Sequence, residues 1–204
     1  AWLTGSTCFL GNLVRVDRGV YVPRPQTEQL ACRAIERLPD RGLAGDLATG
    51  CGAVAVALQN ARPAARVLAT DIDADACRCA RKNGVEVFQG HLGEPVPRDL
   101  FGCFDVVVAV VPYVPTGAIK FLPRDVRRYE PRRALDGGTT GLDLLEQVVR
   151  WGSILLHELG ALIIELGGDQ DEELLPTLSD AGFSVAGRLI DDDGDLRGVE
   201  AMRG

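Results

Sequence analysis

Lysine is nearly missing from this chain of 204 residues: only Lys82 and Lys120 occur among 22 basic residues, and the rest are arginine, the usage of a GC-rich coding sequence. The basic total also falls short of the 29 Asp and Glu, leaving a net charge of −7. Both nucleic acid and an anionic membrane surface require a basic patch, so neither is an expected partner. Long apolar runs are absent too; none approaches the roughly 20 residues that cross a bilayer. The opening residues Ala1-Trp2-Leu3-Thr4 lack the charged and apolar regions of a signal peptide, so a cytoplasmic location is expected. Histidine is limited to His91 and His157, and the six cysteines form no Cys-x-x-Cys pair, so no metal site is expected. Cys51 alone sits in a chemically suggestive place, a glycine turn, and has no base beside it in sequence.

What is present is a hydrophobic fraction of 46%, enough for one sizeable core. Residues 8–22 alternate apolar and polar around Asp17-Arg18-Gly19 and predict a β-hairpin or extended arm, with a domain boundary after residue 22. Thr27 is placed to cap a helix over Leu30, Ala31, Ala34, Ile35 and Leu38. Strands and helices then alternate. Strands are predicted over 43–48, 66–71, 85–88, 104–110 and around 162–164, and helices over 53–60, 74–83, from Thr140, and over 172–181. Two last strands, near 183–190 and 196–202, form a hairpin about Asp191-Asp192-Asp193-Gly194. This order predicts an α/β fold over residues 23–204: a parallel, doubly wound sheet with an antiparallel edge hairpin. The long stretch 114–138 has the length of a functional lid.

In such a sheet, ligands bind beyond the carboxyl ends of the strands. Four segments converge there. The turn Asp46-Leu47-Ala48-Thr49-Gly50-Cys51-Gly52 follows a strand and opens a helix, as a backbone cradle for an anionic ligand does. Asp71 ends the next strand, 21 residues after Gly50, where a carboxylate accepts ribose hydroxyls. Gly90-His91-Leu92 follows the third strand, and Val110-Val111-Pro112-Tyr113 ends the fourth.

Read together with Pro23-Arg24-Pro25-Gln26-Thr27-Glu28, Asp71-Ile72-Asp73, Glu130-Pro131, Ala134-Leu135-Asp136-Gly137-Gly138 and Glu165-Leu166-Gly167, these segments resemble the HemK/PrmC protein-glutamine N5-methyltransferases over nearly the whole chain. The resemblance implies a seven-stranded class I methyltransferase fold. It places S-adenosylmethionine (SAM) against Ala48, Gly50, Gly52, Asp71, Ile72, His91 and Leu92. It also implies an acceptor pocket at Arg24, Thr27, Val110, Val111, Pro112 and Tyr113. Members of the family carry an N-terminal helical domain that recognises release factors, and this chain begins near the hairpin that follows it.

Three positions depart from the family pattern. Val110 stands where Asn of an Asn-Pro-Pro-Tyr motif orients an amide nitrogen, Ala48 where Gly is usual, and His91 where an Asp is usual. These departures favour a fold repurposed for intramolecular displacement or elimination, as in azinomycin-type aziridine formation in secondary metabolism, a lyase-like reaction without SAM. Asp46, Asp71, Glu165 and Tyr113 would then carry the chemistry, and Arg24, Arg124, Arg127 and Arg128 would clamp the leaving anion. An active SAM-dependent N-methyltransferase is the alternative, and a non-catalytic scaffold for a second subunit, docking through residues such as Phe9, Leu10 and Phe121, is the third. A small-molecule substrate is expected over a protein one. Related enzymes that methylate nucleic acid are disfavoured by the acidic charge.

Overall fold

A computed structural model describes residue 1 and residues 3–204; Trp2, within the expected N-terminal arm, lies outside the described residues. The arm is a hairpin of β1 (Ser6–Phe9) and β2 (Asn12–Arg15), and its turn is Leu10-Gly11 rather than Asp17-Arg18-Gly19. Both turn residues take positive φ, 45° and 74°, the twist that a two-residue hairpin loop requires. The arm docks on α3 (Ala74–Lys82): Lys82 bonds the Asp17 carboxylate, and Asn83, just beyond the helix, bonds the Arg15 backbone.

The main sheet has seven strands: β3 (Leu43–Leu47), β4 (Arg66–Asp71), β5 (Glu86–Gln89), β6 (Phe104–Ala109), β7 (Leu156–Glu165), β8 (Phe183–Ile190) and β9 (Leu196–Arg203). Their spatial order is β5-β4-β3-β6-β7-β9-β8, with the first five parallel and β9 antiparallel to both neighbours. The unbroken run Val106-Val107-Val108-Ala109 is fully buried because helices cover both faces. On one face α1 (Thr27–Arg37), α2 (Ala53–Ala61) and α3 pack with Val106, Val108 and Ile163; on the other α5 (Asp143–Leu155) and α6 (Gln170–Asp180) pack with Val107, Leu162 and Ile164. Each fully buried valine side chain stabilises this core by about 1.5–3 kcal/mol.

Two expected caps take other roles. The Thr27 hydroxyl does not cap α1; it donates to the buried carboxylate of Glu165 at 2.5 Å. Thr140 accepts from the Leu142 amide before α5 begins, so the cap lies outside the helix. The stretch 114–138 is also more ordered than a loop. It contains two turns of tight helix at Thr116–Phe121, one at Arg132–Ala134 and the short helix α4 (Arg124–Tyr129), closed by a bridge from Val114 to Asp136. Gly137 seats this lid, since a Cβ there would stand 2.8 Å from the Pro112 carbonyl oxygen.

The strand order reverses between β3 and β6, where Leu47 pairs with Ala109. Ala48 and Val110 therefore leave the sheet side by side. A cavity of about 500 Å³ opens above them.

Candidate active site

One end of the cavity is a backbone cradle. Asp46 is 1% exposed, and its Oδ2 accepts from Thr49 Oγ1 at 2.5 Å and the Ala55 amide at 3.1 Å, which ties the glycine turn to the start of α2. Burial pushes its pKa up to about 7, against the pull of those two donors. Asp71 accepts the Gly50 amide at Oδ2 and the Asp73 amide at Oδ1, both at 2.8 Å, and each oxygen keeps a further lone pair. Its pKa is raised by burial and held down by those same amides. Gly50 takes φ 59° and Gly52 φ 86°, but Ala48 must adopt φ 60° with a methyl group. That left-handed conformation costs a non-glycine residue about 1–2 kcal/mol.

His91 is half-buried and lines the same cavity as Asp71. Its Nε2 lies 2.8 Å from Gln147 Oε1, and Gln147 Nε2 donates to the Asp143 carbonyl at 2.9 Å. The second bond fixes which end of the amide faces the ring, so neutral His91 donates through Nε2 and its Nδ1 is an acceptor. Ile72, 63% exposed, and buried Leu92 add apolar surface at this end.

The other end is assembled from distant segments. Tyr113 and Thr27 line the cavity and both donate to Glu165, at 3.1 Å and 2.5 Å, sealing that carboxylate behind them. Burial raises the pKa of Glu165 and lifts that of Tyr113 well above the ordinary phenol value. Arg24 donates to Glu130 Oε2 at 2.6 Å and lies 4.8 Å from the centre of the Tyr21 ring. The Glu130 side chain is fully buried, so this pair fastens the lid to the segment before α1.

Most of the sequence-predicted residues share this one cavity, including Asp46, Ala48, Gly50, Asp71, Ile72, His91 and Leu92 at the first end. Arg24, Thr27, Val110, Val111, Pro112 and Tyr113 line the second. Gly52 and Glu165 do not reach the wall. Gly52 instead precedes α2, packed under Val85 and Ala80. Of the expected clamp only Arg24 is there: Arg124, Arg127 and Arg128 are exposed and off the wall, because α4 turns Val126 inward and these three outward. Arg127 bonds the Leu122 carbonyl, and Arg128 lies over Tyr129. Besides Arg24, the arginine that reaches the wall is Arg133, paired with Asp73, and no sequence signal marks it. Tyr21 was legible only as an alternating residue of the arm, and burial pushes its pKa up to about 12. Cys51 is buried, with a pKa pushed up to about 12, which leaves no thiolate for chemistry at neutral pH. Phe9 is core, whereas Phe121 is 79% exposed.

No protein-family model matches the chain. Curated relatives do. A release factor glutamine methyltransferase from Neisseria gonorrhoeae is 36% identical over 190 residues, covering 90% of this chain and 69% of the relative. The corresponding protein from Geobacter sulfurreducens is 35% identical over 188 residues, covering 89% and 65%. The chain belongs to the release factor glutamine methyltransferase (HemK/PrmC) family. It spans about two thirds of the length of these relatives. A 4-amino-L-phenylalanine/4-methylamino-L-phenylalanine methyltransferase from Streptomyces pristinaespiralis is 36% identical over 179 residues, covering 82% of this chain and 61% of that one.

Solved structures agree on the fold. A ribosomal protein L11 methylase from Lactobacillus delbrueckii superposes with a TM-score of 0.67 at 21% identity, covering 93% of this chain and 84% of the other. A protein-(glutamine-N5) methyltransferase from Alicyclobacillus acidocaldarius gives 0.54 at 22%, covering 89% and 94%. The fold is that of class I methyltransferases. The displacement or elimination chemistry expected from the three departures gains no support: the homologues are methyltransferases, and three of the four arginines of the anion clamp it required lie off the cavity wall. Among the described residues no helix is long and apolar enough to cross a membrane, and no group of three or more His, Cys, Asp or Glu is arranged to hold a metal ion.

Proposed function

We propose that this chain carries the catalytic fold of a SAM-dependent N-methyltransferase. The observation behind the proposal is the single cavity that joins the glycine turn, Asp71 and His91 to the Pro112-Tyr113 corner. The residues fit the cofactor. Nothing lies within 4 Å of the position a Gly50 Cβ would occupy, so the cradle is open. Asp71 has lone pairs for the ribose hydroxyls, and His91 Nδ1 can accept from the adenine amino group. Ile72 and Leu92 offer apolar faces to the adenine ring, and the amides opening α2 favour the carboxylate. When bound, SAM supplies an electrophilic methyl group on a sulfonium.

The chain's own residues do the rest by placement. The Val110–Tyr113 corner lines the acceptor end, and Leu122, Pro123, Val126 and Pro131 of the lid roof it and exclude water. The relatives' names point to nitrogen acceptors, a release factor glutamine and an aminophenylalanine with its methylamino form. The roofed cavity favours a small molecule over a protein. The division into an arm over residues 1–22 and a methyltransferase domain over 23–204 is part of the same proposal.

Calorimetric titration with SAM and with S-adenosylhomocysteine tests it. Micromolar binding that weakens at least tenfold in Asp71→Ala is the expected result. No heat of binding at millimolar SAM would overturn the proposal.

A further inference from the structure

We propose that the acceptor is a neutral aromatic amine rather than a carboxamide or an alkylammonium. The inference deepens the methyltransferase assignment above and rests on it. Its origin is what the acceptor end of the cavity holds and what it lacks.

A carboxamide nitrogen has its lone pair delocalised into the carbonyl and must be held by acceptors for its N–H groups. At this corner the side chain at position 110 is valine, which accepts nothing, so an amide loses the side-chain acceptor that the Asn of the family pattern supplies. Leaving an amide N–H unpaired in a roofed site makes such an acceptor unfavourable.

An alkylamine has the opposite difficulty. Its conjugate acid has a pKa of about 10.4, so it arrives charged and must lose a proton to the site. Among the described residues, the carboxylates nearest the acceptor end are engaged or lie off its wall. Glu165 is sealed behind Thr27 and Tyr113, and Glu130, bonded to Arg24 through Oε2, does not reach the cavity wall. Asp46, whose Oδ2 takes both Thr49 and Ala55, lies under the glycine turn at the cofactor end, and Asp73 is paired with Arg133. Asp71 and His91 belong to the cofactor end, and the phenols of Tyr21 and Tyr113 stay protonated because burial raises their pKa values.

An aromatic amine meets neither obstacle. It is uncharged at neutral pH, its nitrogen keeps a usable lone pair, and it needs no base before the transfer. The nitrogen forms the new N–CH3 bond as the sulfonium S–CH3 bond breaks, with that electron pair staying on sulfur. The nitrogen is then positive and acidic, and it loses its proton to solvent. The walls suit the ring that carries it: Val110, Pro112, Leu122 and Val126 are apolar, and Tyr21 and Tyr113 present aromatic surface. Both arginines on the wall are neutralised, Arg24 by Glu130 and Arg133 by Asp73, so the end around the nitrogen favours an uncharged body.

The test uses a size-matched panel of a 4-alkylaniline, a benzylamine and a benzamide, with a glutamine-containing peptide as a fourth probe. Binding of each is measured by calorimetry, and methyl transfer from labelled SAM is measured in the same samples. The aniline is expected to bind and to be methylated at a rate flat between about pH 6.5 and 9. Any turnover of the benzylamine should rise about tenfold per pH unit below its pKa. Val110→Asn should move the preference toward the benzamide by about tenfold or more. Methylation of the benzamide or peptide faster than the aniline, or benzylamine turnover with no pH slope, overturns the inference. If SAM binds and the aniline neither binds nor reacts, the inference fails and the methyltransferase assignment stands. If SAM fails to bind while the aniline alone of the panel does, that assignment fails and the acceptor class stands.

Discussion

The cofactor end of the cavity and the acceptor end are held by different kinds of bond. At the cofactor end a carboxylate meets backbone amides close by in the chain: Asp46 to Ala55, and Asp71 to Gly50 and Asp73. At the acceptor end side chains meet across the whole chain: Arg24 with Glu130, separated by 106 residues, and Thr27 with Glu165, separated by 138. The first end is a property of strand–turn–helix units and forms with the sheet. The second exists only once the lid and the segment before α1 have docked on the finished sheet. Substitutions at the acceptor end should therefore act chiefly through the docking of the lid, and those at the cofactor end through the turn itself and the ligand it holds.

The largest effect is expected from breaking the pair that holds the lid. Arg24→Ala leaves the fully buried Glu130 carboxylate without its cation, and loss of one partner of a buried pair costs about 3–5 kcal/mol. Chemical denaturation should register that loss, and hydrogen exchange should quicken over residues 114–138 before the sheet amides. Uniform quickening of exchange across the sheet and the lid would contradict the idea of a separately docked lid.

Asp46 ranks next. Its pKa rises from 3.8 to about 7 on folding, chiefly through burial. Across that window the unfolded chain has lost the proton and the folded chain retains it, so stability falls as pH rises. The shift corresponds to roughly 4 kcal/mol, present below the lower pKa and lost as pH climbs through the higher one. Asp46→Asn keeps an oxygen for both Thr49 and Ala55, which bond the same atom, and carries no charge. Denaturation midpoints of the variant should decline less steeply with pH than those of the wild type, the raised carboxylates Asp71 and Glu165 keeping part of the slope. A wild-type curve that rises between pH 4 and 7 would show another group in control.

A smaller effect is expected at His91. His91→Ala removes the Nδ1 acceptor and leaves Gln147 Oε1 without its donor, and one lost hydrogen bond costs about 1–3 kcal/mol when a partner is stranded. SAM affinity should fall by about tenfold, with folding stability changed less. Unchanged affinity would remove His91 from the adenine site.

The same contrast explains which parts were legible from the residues alone. The run of valines in β6 and the placement of Asp71 after Gly50 are local patterns, and the strands and cradle they predict are present with boundaries shifted by a residue or two. The length of β7 was not legible: Leu156–Glu165 is ten residues, and only its buried core at Leu162-Ile163-Ile164 carries an apolar signal. The roles of Thr27 and Glu165 were hidden for a stronger reason. Each looked locally useful, one as a cap and one as a free carboxylate, and a contact across the chain claimed both. The arginines of the lid failed on helical phase. Arg124, Arg127 and Arg128 share a short helix with Val126, and nothing in six residues says which side faces the cavity.

The gentlest change is the most direct test of the cofactor end. Ala48 is held at φ 60°, at the point where β3 leaves the sheet beside β6. Ala48→Gly relieves a left-handed strain of about 1–2 kcal/mol and gives back about 0.4–1 kcal/mol through the freer unfolded chain. The net gain in stability should therefore be below about 1.5 kcal/mol, visible as a modest rise in denaturation midpoint. The same substitution removes a methyl group from the cavity wall, so SAM should bind more tightly in the variant. Strain and steric hindrance thus predict the same sign for stability and for affinity. A variant that is more stable but binds SAM no better would mean that the Ala48 methyl does not meet the cofactor, and that His91 alone distinguishes this cradle from one built with Gly and Asp.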